Sequence, residues 1–360
     1  MGFVVTIVGL GVIGASLGLA LKDSPLVEEL IGVDPQDHVG KEAVALGAVR
    51  RTEKLEAGIE NADVVFLCCP LERLEEVIKQ AAPVLKPGAV VTDVGSVKQV
   101  VMEWFRRWLP GGVYGIGGHP MAGSERTGLA GADRYLFENA VYVLVLPPGI
   151  PSGPFETLSQ LISCTGAKII TMDAAQHDRL VATASHLPHL AAVALVNQAG
   201  KAPEALGLAG GGFRDTTRVA SSNPAMWEEI FMFNREAVLD QLDGFVGELN
   251  RLRGYIAAAD RQRLRQELQA AQALRESVPR GARGALPSAC EIITVVPDRP
   301  GVIGYLGTVL GEGGINIVDI EILRVREGDG GTIRLGVPSV EDGEKAVKLL
   351  RDQGIKAWMR

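Results

Sequence analysis

Phe3-Val4-Val5-Thr6-Ile7-Val8 runs directly into Gly9-Leu10-Gly11-Val12-Ile13-Gly14, a short apolar run followed by a G-x-G-x-x-G loop. The apolar run predicts a buried strand, and the residues from Val12 onward predict a helix. An acid, Asp34, stands twenty residues beyond Gly14 and ends a second predicted strand over 29–34. Strand, glycine loop, helix, strand and terminal acid in that order make a dinucleotide fingerprint. Gly9 permits the tight turn, Gly11 lets the backbone approach a pyrophosphate, and Gly14 lets helix and strand pack closely. Val12 and Ile13 open the helix, whose N-terminus then faces the phosphates.

Asp34 selects the cofactor. A carboxylate at that position bonds ribose hydroxyls and repels a 2′-phosphate, and Pro35 and Gln36 bring no arginine, so NAD is expected over NADP. Working outward, the alternation continues with strands over 64–68 and 89–92 and helices over 40–46 and 74–85. Further strands are expected over 112–117, 140–146 and 168–171. Alternating β and α predicts an α/β, Rossmann-type domain with a parallel sheet covered on both faces, over 1–172.

The texture then changes. Residues 173–199 predict one long helix, and 224–272 continue helical at a period near 3.6, with a glycine-rich break at 207–213. This predicts an all-helical dimerisation and substrate domain over 173–278. The segment 276–288, rich in Arg, Gly, Pro and Ser, is expected to be a linker. Over 289–360 the order is strand, helix, strand, strand, helix, strand, the βαββαβ ferredoxin-like arrangement.

Composition limits the partners. The 360 residues carry 36 Lys plus Arg against 43 Asp plus Glu, a net charge of -7, and only 5% aromatics. That balance disfavours nucleic acid and anionic membrane surfaces. No apolar run of spanning length is expected beyond the glycine-interrupted N-terminus. Four cysteines without C-x-x-C spacing argue against a zinc site and fit a reducing cytoplasm.

The chemistry-bearing residues cluster in four motifs. Thr92-Asp93-Val94-Gly95-Ser96-Val97-Lys98 follows one predicted strand, and Gly117-Gly118-His119-Pro120-Met121-Ala122-Gly123-Ser124-Glu125 follows the next. His119, expected in a loop at a strand's carboxyl end, stands where such sheets bind ligands. Ser96 serves equally as a helix N-cap and as a ligand contact. The helical half supplies His186-Leu187-Pro188-His189 and Phe213-Arg214-Asp215-Thr216-Thr217-Arg218. Pro188 and the lack of a third ligand argue against a metal at the histidine pair. His177 and Asp178 fit either a surface helix start or a site. Arg214 and Arg218 offer forks for carboxylates, or are surface charges.

In combination, G-x-G-x-x-G, D-x-G-S-x-K, G-G-H-P-M-A-G-S-E, S-H-L-P-H and F-R-D-T-T-R-x-A-S-S-N-P-x-M-W resemble the prephenate dehydrogenase family of tyrosine biosynthesis. Pro297-Asp298-Arg299-Pro300-Gly301-Val302 with Gly313-Gly314-Ile315-Asn316 resembles an ACT domain. The resemblance spans essentially the whole chain. It implies an NAD-dependent oxidative decarboxylation of prephenate to 4-hydroxyphenylpyruvate in a homodimer. It implies that His119 accepts a hydrogen bond from the ring hydroxyl, that Ser96 bonds His119 near the nicotinamide, and that Arg218 receives a substrate carboxylate. His189, His186 and His177 then line the pocket, Trp227 closes it from the partner subunit, Arg214 is a second anchor, and Glu125 orients near the mouth. An ACT domain further implies regulation, with L-tyrosine expected at Asp298, Gly301, Val302 and Asn316. Arogenate or dual-specificity cyclohexadienyl dehydrogenases share the chemistry. A β-hydroxyacid dehydrogenase would want a lysine base that 173–197 lacks, and a non-catalytic NAD and amino-acid sensor would not need His119, Ser96 and Arg218 together.

Overall fold

The computed structural model describes residues 2–123, 128–277, 290–297, 299–326 and 330–359. They divide into two compact units, Met1–Leu264 and Arg265–Arg360, so the first two expected domains make one unit. The division falls inside the helix Arg261–Ser277, and most of the expected linker lies outside the described residues.

The first unit is built on an eight-stranded sheet. Its strands are β1 (Phe3–Val8), β2 (Val27–Val33), β3 (Arg51–Thr52), β4 (Val64–Leu67), β5 (Val90–Asp93), β6 (Tyr114–Pro120), β7 (Val141–Val145) and β8 (Lys168–Thr171), in the order β3-β2-β1-β4-β5-β6-β7-β8. Successive side chains of a strand face opposite ways, and both ways here lead to a core. Val64 and Phe66 enter one hydrophobic cluster, with Val5, Ile7 and Leu17. Val65 and Leu67 enter the other, with Leu74, Val91 and Trp104. That is why these strands read as unbroken apolar runs.

The sheet departs from all-parallel at its far side. β7 runs antiparallel to β6, and β8 is parallel to β7. A parallel return needs a crossover element, and between β6 and β7 the described residues hold only the short 3-10 turn Leu129–Gly131. Pairing with β7 in the register Gly117↔Val145 to Pro120↔Tyr142 extends β6 through Pro120. His119 therefore lies inside a strand, opposite Val143, and not in the loop expected after it.

The expected single helix from 173 to 199 is three pieces. A helix Ala174–Val181 leads into a π-turn, Ala182–His186, and a helix Leu187–Ala199. Pro188 lacks the N–H that would bond the carbonyl of Ala184, and its ring crowds that carbonyl, so the turn widens. By length and composition alone, Ala174–Ala199 is long and apolar enough to cross a membrane, contrary to the expectation that no such run exists. The helices Pro203–Gly207, Gly211–Thr217, Pro224–Phe233 and Arg235–Ala257 follow in this half, and the glycine-rich break proves to open a helix.

The second unit has the expected βαββαβ order. β9 (Cys290–Val296), β10 (Asp319–Arg326), β11 (Gly330–Val337) and β12 (Lys356–Met359) form an antiparallel sheet in the order β10-β11-β9-β12. Ile292, Leu335, Leu306, Leu310, Val347 and Leu350 join sheet and helices in a core of its own.

Candidate active site

The glycine loop is shaped by contact as the sequence requires. Gly9 has φ +94°, and a Cβ there would lie 2.7 Å from the Cys68 carbonyl. A Cβ on Gly14 would sit 2.0 Å from the Gly9 carbonyl oxygen, whereas one on Gly11 would meet nothing within 4 Å. The open position is the one through which a phosphate would approach. Gly11 caps the helix Val12–Leu21 without any side-chain hydrogen bond, leaving its first N–H groups, with Val12 and Ile13, facing the loop. Asp34 holds this turn to β2, because its carboxylate accepts from the Leu10 N–H and the Gln36 N–H, each at 2.9 Å. The loop fits a dinucleotide on these observations.

β5 and β6 end at the same edge as β1, since β1, β4, β5 and β6 are parallel. There Asp93 and Lys98 form a fully buried ion pair. The carboxylate of Asp93 also accepts from the backbone N–H of Gly118 at 3.0 Å and of Gly95 at 2.7 Å. A Cβ on Gly118 would lie 2.4 Å from the Asp93 carbonyl oxygen, so only glycine lets the strand approach here. Asp93 thus fixes the backbone beside His119 and the loop that carries Ser96. Burial pushes the Lys98 ammonium below its ordinary pKa, and Asp93 opposes that.

The helical half brings a line of histidines to this edge. His119 Nδ1 lies 2.8 Å from His177 Nε2, and His177 Nδ1 lies 2.7 Å from Asp178 Oδ1. The two oxygens of Asp178 accept from the backbone N–H of Lys98 at 2.7 Å and of Gln99 at 2.9 Å. Asp178 therefore caps the helix Gln99–Trp108 from another element and ties the two halves together. Burial holds the His119 pKa well below its usual value, with the charges of His177, Lys98 and His186 acting the same way. Burial also raises the cost of ionising Asp178, but its bonds to His177, Gln99 and Lys98 outweigh that and keep its pKa low.

His186, at the end of the π-turn, is pushed down to about 4, mainly by burial. Its Nδ1 lies 3.2 Å from Asn234 Nδ2, which donates to the Asp178 carbonyl oxygen at 2.9 Å. His189 stacks on Trp227 at 3.7 Å, and burial lowers its pKa. His189 Nδ1 and Trp227 Nε1 are both buried without a hydrogen-bond partner, an arrangement suited to a polar ligand.

The structure thus gathers His119, His177, His186, His189 and Trp227. Trp227, expected from the partner subunit, lies against His189 of its own chain. Ser96, half-buried, makes no hydrogen bond to His119 among the described residues; His119 Nδ1 is directed to His177. Arg218 begins the exposed turn Arg218–Ser221, which packs on Leu187–Ala199, and Arg214 is exposed on Gly211–Thr217. Glu125 and Asp298 lie outside the described residues. Gly301 and Val302 line a cavity of about 470 Å³ with Arg299, Ile322 and Ile333, whereas Asn316 is exposed and does not line it. A larger groove of about 850 Å³, near Met102, Tyr114 and Pro148, holds none of the expected site residues. Sequence reasoning assigned no role to Asp93, Lys98 and Asn234. The signal for the first two was an acid and a lysine five apart where a buried strand ends.

A Rossmann sheet whose carboxyl edge meets buried histidines from a helical half defines a two-part, NAD-dependent dehydrogenase. The descriptions "Prephenate dehydrogenase, nucleotide-binding domain", "Prephenate dehydrogenase, dimerization domain" and "ACT domain" match residues 17–171, 173–270 and 291–354. A prephenate dehydrogenase of Bacillus subtilis is 34% identical over 348 residues, covering 95% of this chain and 94% of its own. Among solved structures, prephenate dehydrogenase from Aquifex aeolicus in complex with hydroxyphenyl propionate and NAD+ matches with a TM-score of 0.71 and 31% identity, over 76% of this chain and 97% of its own. Synechocystis arogenate dehydrogenase matches with a TM-score of 0.68 and 33% identity, over 76% and 98%. The chain belongs to the prephenate dehydrogenase family, and it is an NAD-dependent oxidoreductase.

Proposed function

We propose that the chain converts prephenate to 4-hydroxyphenylpyruvate and CO₂. The observation that carries this is His119, buried and neutral, held at the same sheet edge as the glycine loop. NAD, when bound, accepts a hydride from the hydroxyl-bearing ring carbon. His119 receives the hydrogen bond of that hydroxyl and takes up its proton as the carbon–oxygen bond gains double character. The bond to the ring carboxylate then breaks, CO₂ leaves, and its electron pair aromatises the ring. His119 returns the proton to the phenolic oxygen, so no proton is gained or lost overall.

In this reading Arg218 holds a substrate carboxylate and Arg214 is a second anion anchor. His189, His186, His177 and Trp227 line the pocket, and Glu125 orients near its mouth. Ser96 contacts nicotinamide or substrate, and Gly9, Gly11, Val12, Ile13, Gly14 and Asp34 hold the dinucleotide. Residues 173–278 form the dimerisation domain of a cytoplasmic homodimer. Exposed Met232 and Ile256, 63% and 65% accessible, support an apolar partner surface. L-tyrosine binds the 289–360 domain beside Gly301 and Val302, whose helix N-terminus suits a carboxylate, and lowers activity.

The Synechocystis neighbour favours a second reading, arogenate as substrate. NADH formation with prephenate and with arogenate, compared as kcat/KM, decides between them. A ratio above about tenfold, or ~1.4 kcal/mol, in favour of prephenate is expected, and no turnover of either substrate sinks the function.

A further inference from the structure

We infer that His177 and Asp178 are positioning residues that fix which nitrogen of His119 faces the substrate. The inference rests on His119 being the proton acceptor proposed above.

The argument is a count of donors and acceptors. An ionised carboxylate only accepts. Asp178 Oδ1, 2.7 Å from His177 Nδ1, therefore requires the hydrogen on that nitrogen. A neutral His177 then has its lone pair on Nε2. That lone pair lies 2.8 Å from His119 Nδ1, so the hydrogen of His119 is on Nδ1. The Nε2 of His119 is left as the acceptor. Any other neutral assignment sets two lone pairs, or two hydrogens, against each other inside the protein, at the cost of an unsatisfied buried polar group.

Capping alone does not account for Asp178. A cap needs bonds to the Lys98 and Gln99 N–H groups, and a serine or asparagine supplies one. Asp178 is a fully buried carboxylate with a third bond aimed at a histidine, itself buried and aimed at a second histidine. Such a chain also answers the charge that appears when His119 takes a proton. The Lys98 ammonium opposes that charge; Asp178, reached through His177, and Asp93, paired to Lys98, offset it. The geometry is that of an orienting acid behind a base, with a second imidazole inserted between them.

The test uses the full chain and four variants. Asp178→Asn loses one cap bond in either orientation: with its NH2 at the Oδ1 position it presents an N–H to His177 Nδ1 and loses the Lys98 bond, and with its NH2 at the Oδ2 position it loses the Gln99 bond. In the first case His177 turns its hydrogen to Nε2, and His119 must carry its own on the substrate side. A fall in kcat of roughly 10²-fold is expected, between the effects known for outer-shell and triad orienting groups, with KM for prephenate and for NAD within about threefold. The ¹⁵N shifts of labelled histidine should show His119 leaving the Nδ1–H tautomer without substrate or cofactor. His177→Gln keeps an oxygen acceptor toward His119 and should retain most of kcat, whereas His177→Phe should lose about 10²-fold. This pair carries the test if Asp178→Asn fails to fold. His119→Asn serves as the reference, with an expected loss of roughly 10²–10⁴-fold. Wild-type kcat in His177→Phe beside a large loss in His119→Asn overturns the positioning role alone. So does an equal loss in His177→Gln and His177→Phe, or an unmoved His119 tautomer in folded Asp178→Asn. Wild-type kcat in His119→Asn overturns the acceptor, and the positioning role with it.

Discussion

His186 is neutral in the folded chain down to about pH 4, while in the unfolded chain it takes a proton near 6.5. Between those values the unfolded state binds the extra proton, so stability is full above pH 6.5 and is lost as pH falls toward 4. At roughly 1.4 kcal/mol per unit the loss is about 3 kcal/mol. His119 is also held below its ordinary value and acts in the same direction over this window. Asp178, held below the ordinary carboxylate range, adds its loss only at lower pH. We expect the urea midpoint of the first unit to fall between pH 6.5 and 4, and to fall less in His186→Asn. A midpoint flat across that window would show that His186 and His119 are not held neutral by burial. The same residues show what a one-letter string conceals. His119, His186 and His189 stood out as rare types near glycine and proline. The partners that set their chemistry, Asp178, Asn234 and the Asp93–Lys98 pair, are common types that matter only through contacts eighty, forty-eight and five residues along the chain.

The π-turn Ala182–His186 sets the angle between two helix pieces and thus between His177 and His189. Pro188→Ala restores an N–H and removes the crowding that widens the turn. A regular α-helix would then rotate the residues beyond it by about 100° relative to His177. The expected result is a loss of kcat/KM of roughly tenfold, ~1.4 kcal/mol, with the thermal midpoint held or raised. Unchanged kinetics would mean that packing, and not Pro188, fixes the turn. Elements of this kind mark the limit of reading by period. β1 with its loop and helix, and the βαββαβ order of the second unit, follow from local pattern and were legible. The extension of β6 through His119 was not, because it depends on an antiparallel neighbour that no local pattern announces. Nor was the π-turn, since an apolar helix with a proline near its middle reads the same with either hydrogen-bond pattern.

On the scale of the molecule, the dehydrogenase domains and the ACT domain belong to units with separate cores. A chain ended near Ser288 should keep its activity and lose inhibition by L-tyrosine. Equal inhibition with and without the later residues would place tyrosine in the active site, as a product-like competitor. The separate cores also carry a calorimetric consequence. A chain whose halves bury their apolar surface independently need not melt as one cooperative unit, so its heat-capacity trace should resolve into two transitions. A ligand at about a hundred times its Kd adds roughly 2.7 kcal/mol to the unit that binds it. For the smaller unit, Arg265–Arg360, that is an upward shift on the order of 10–20 °C, and for the larger one about half as much. NAD should move one transition and tyrosine the other, so each ligand would be assigned to its half of the chain without a single turnover being measured.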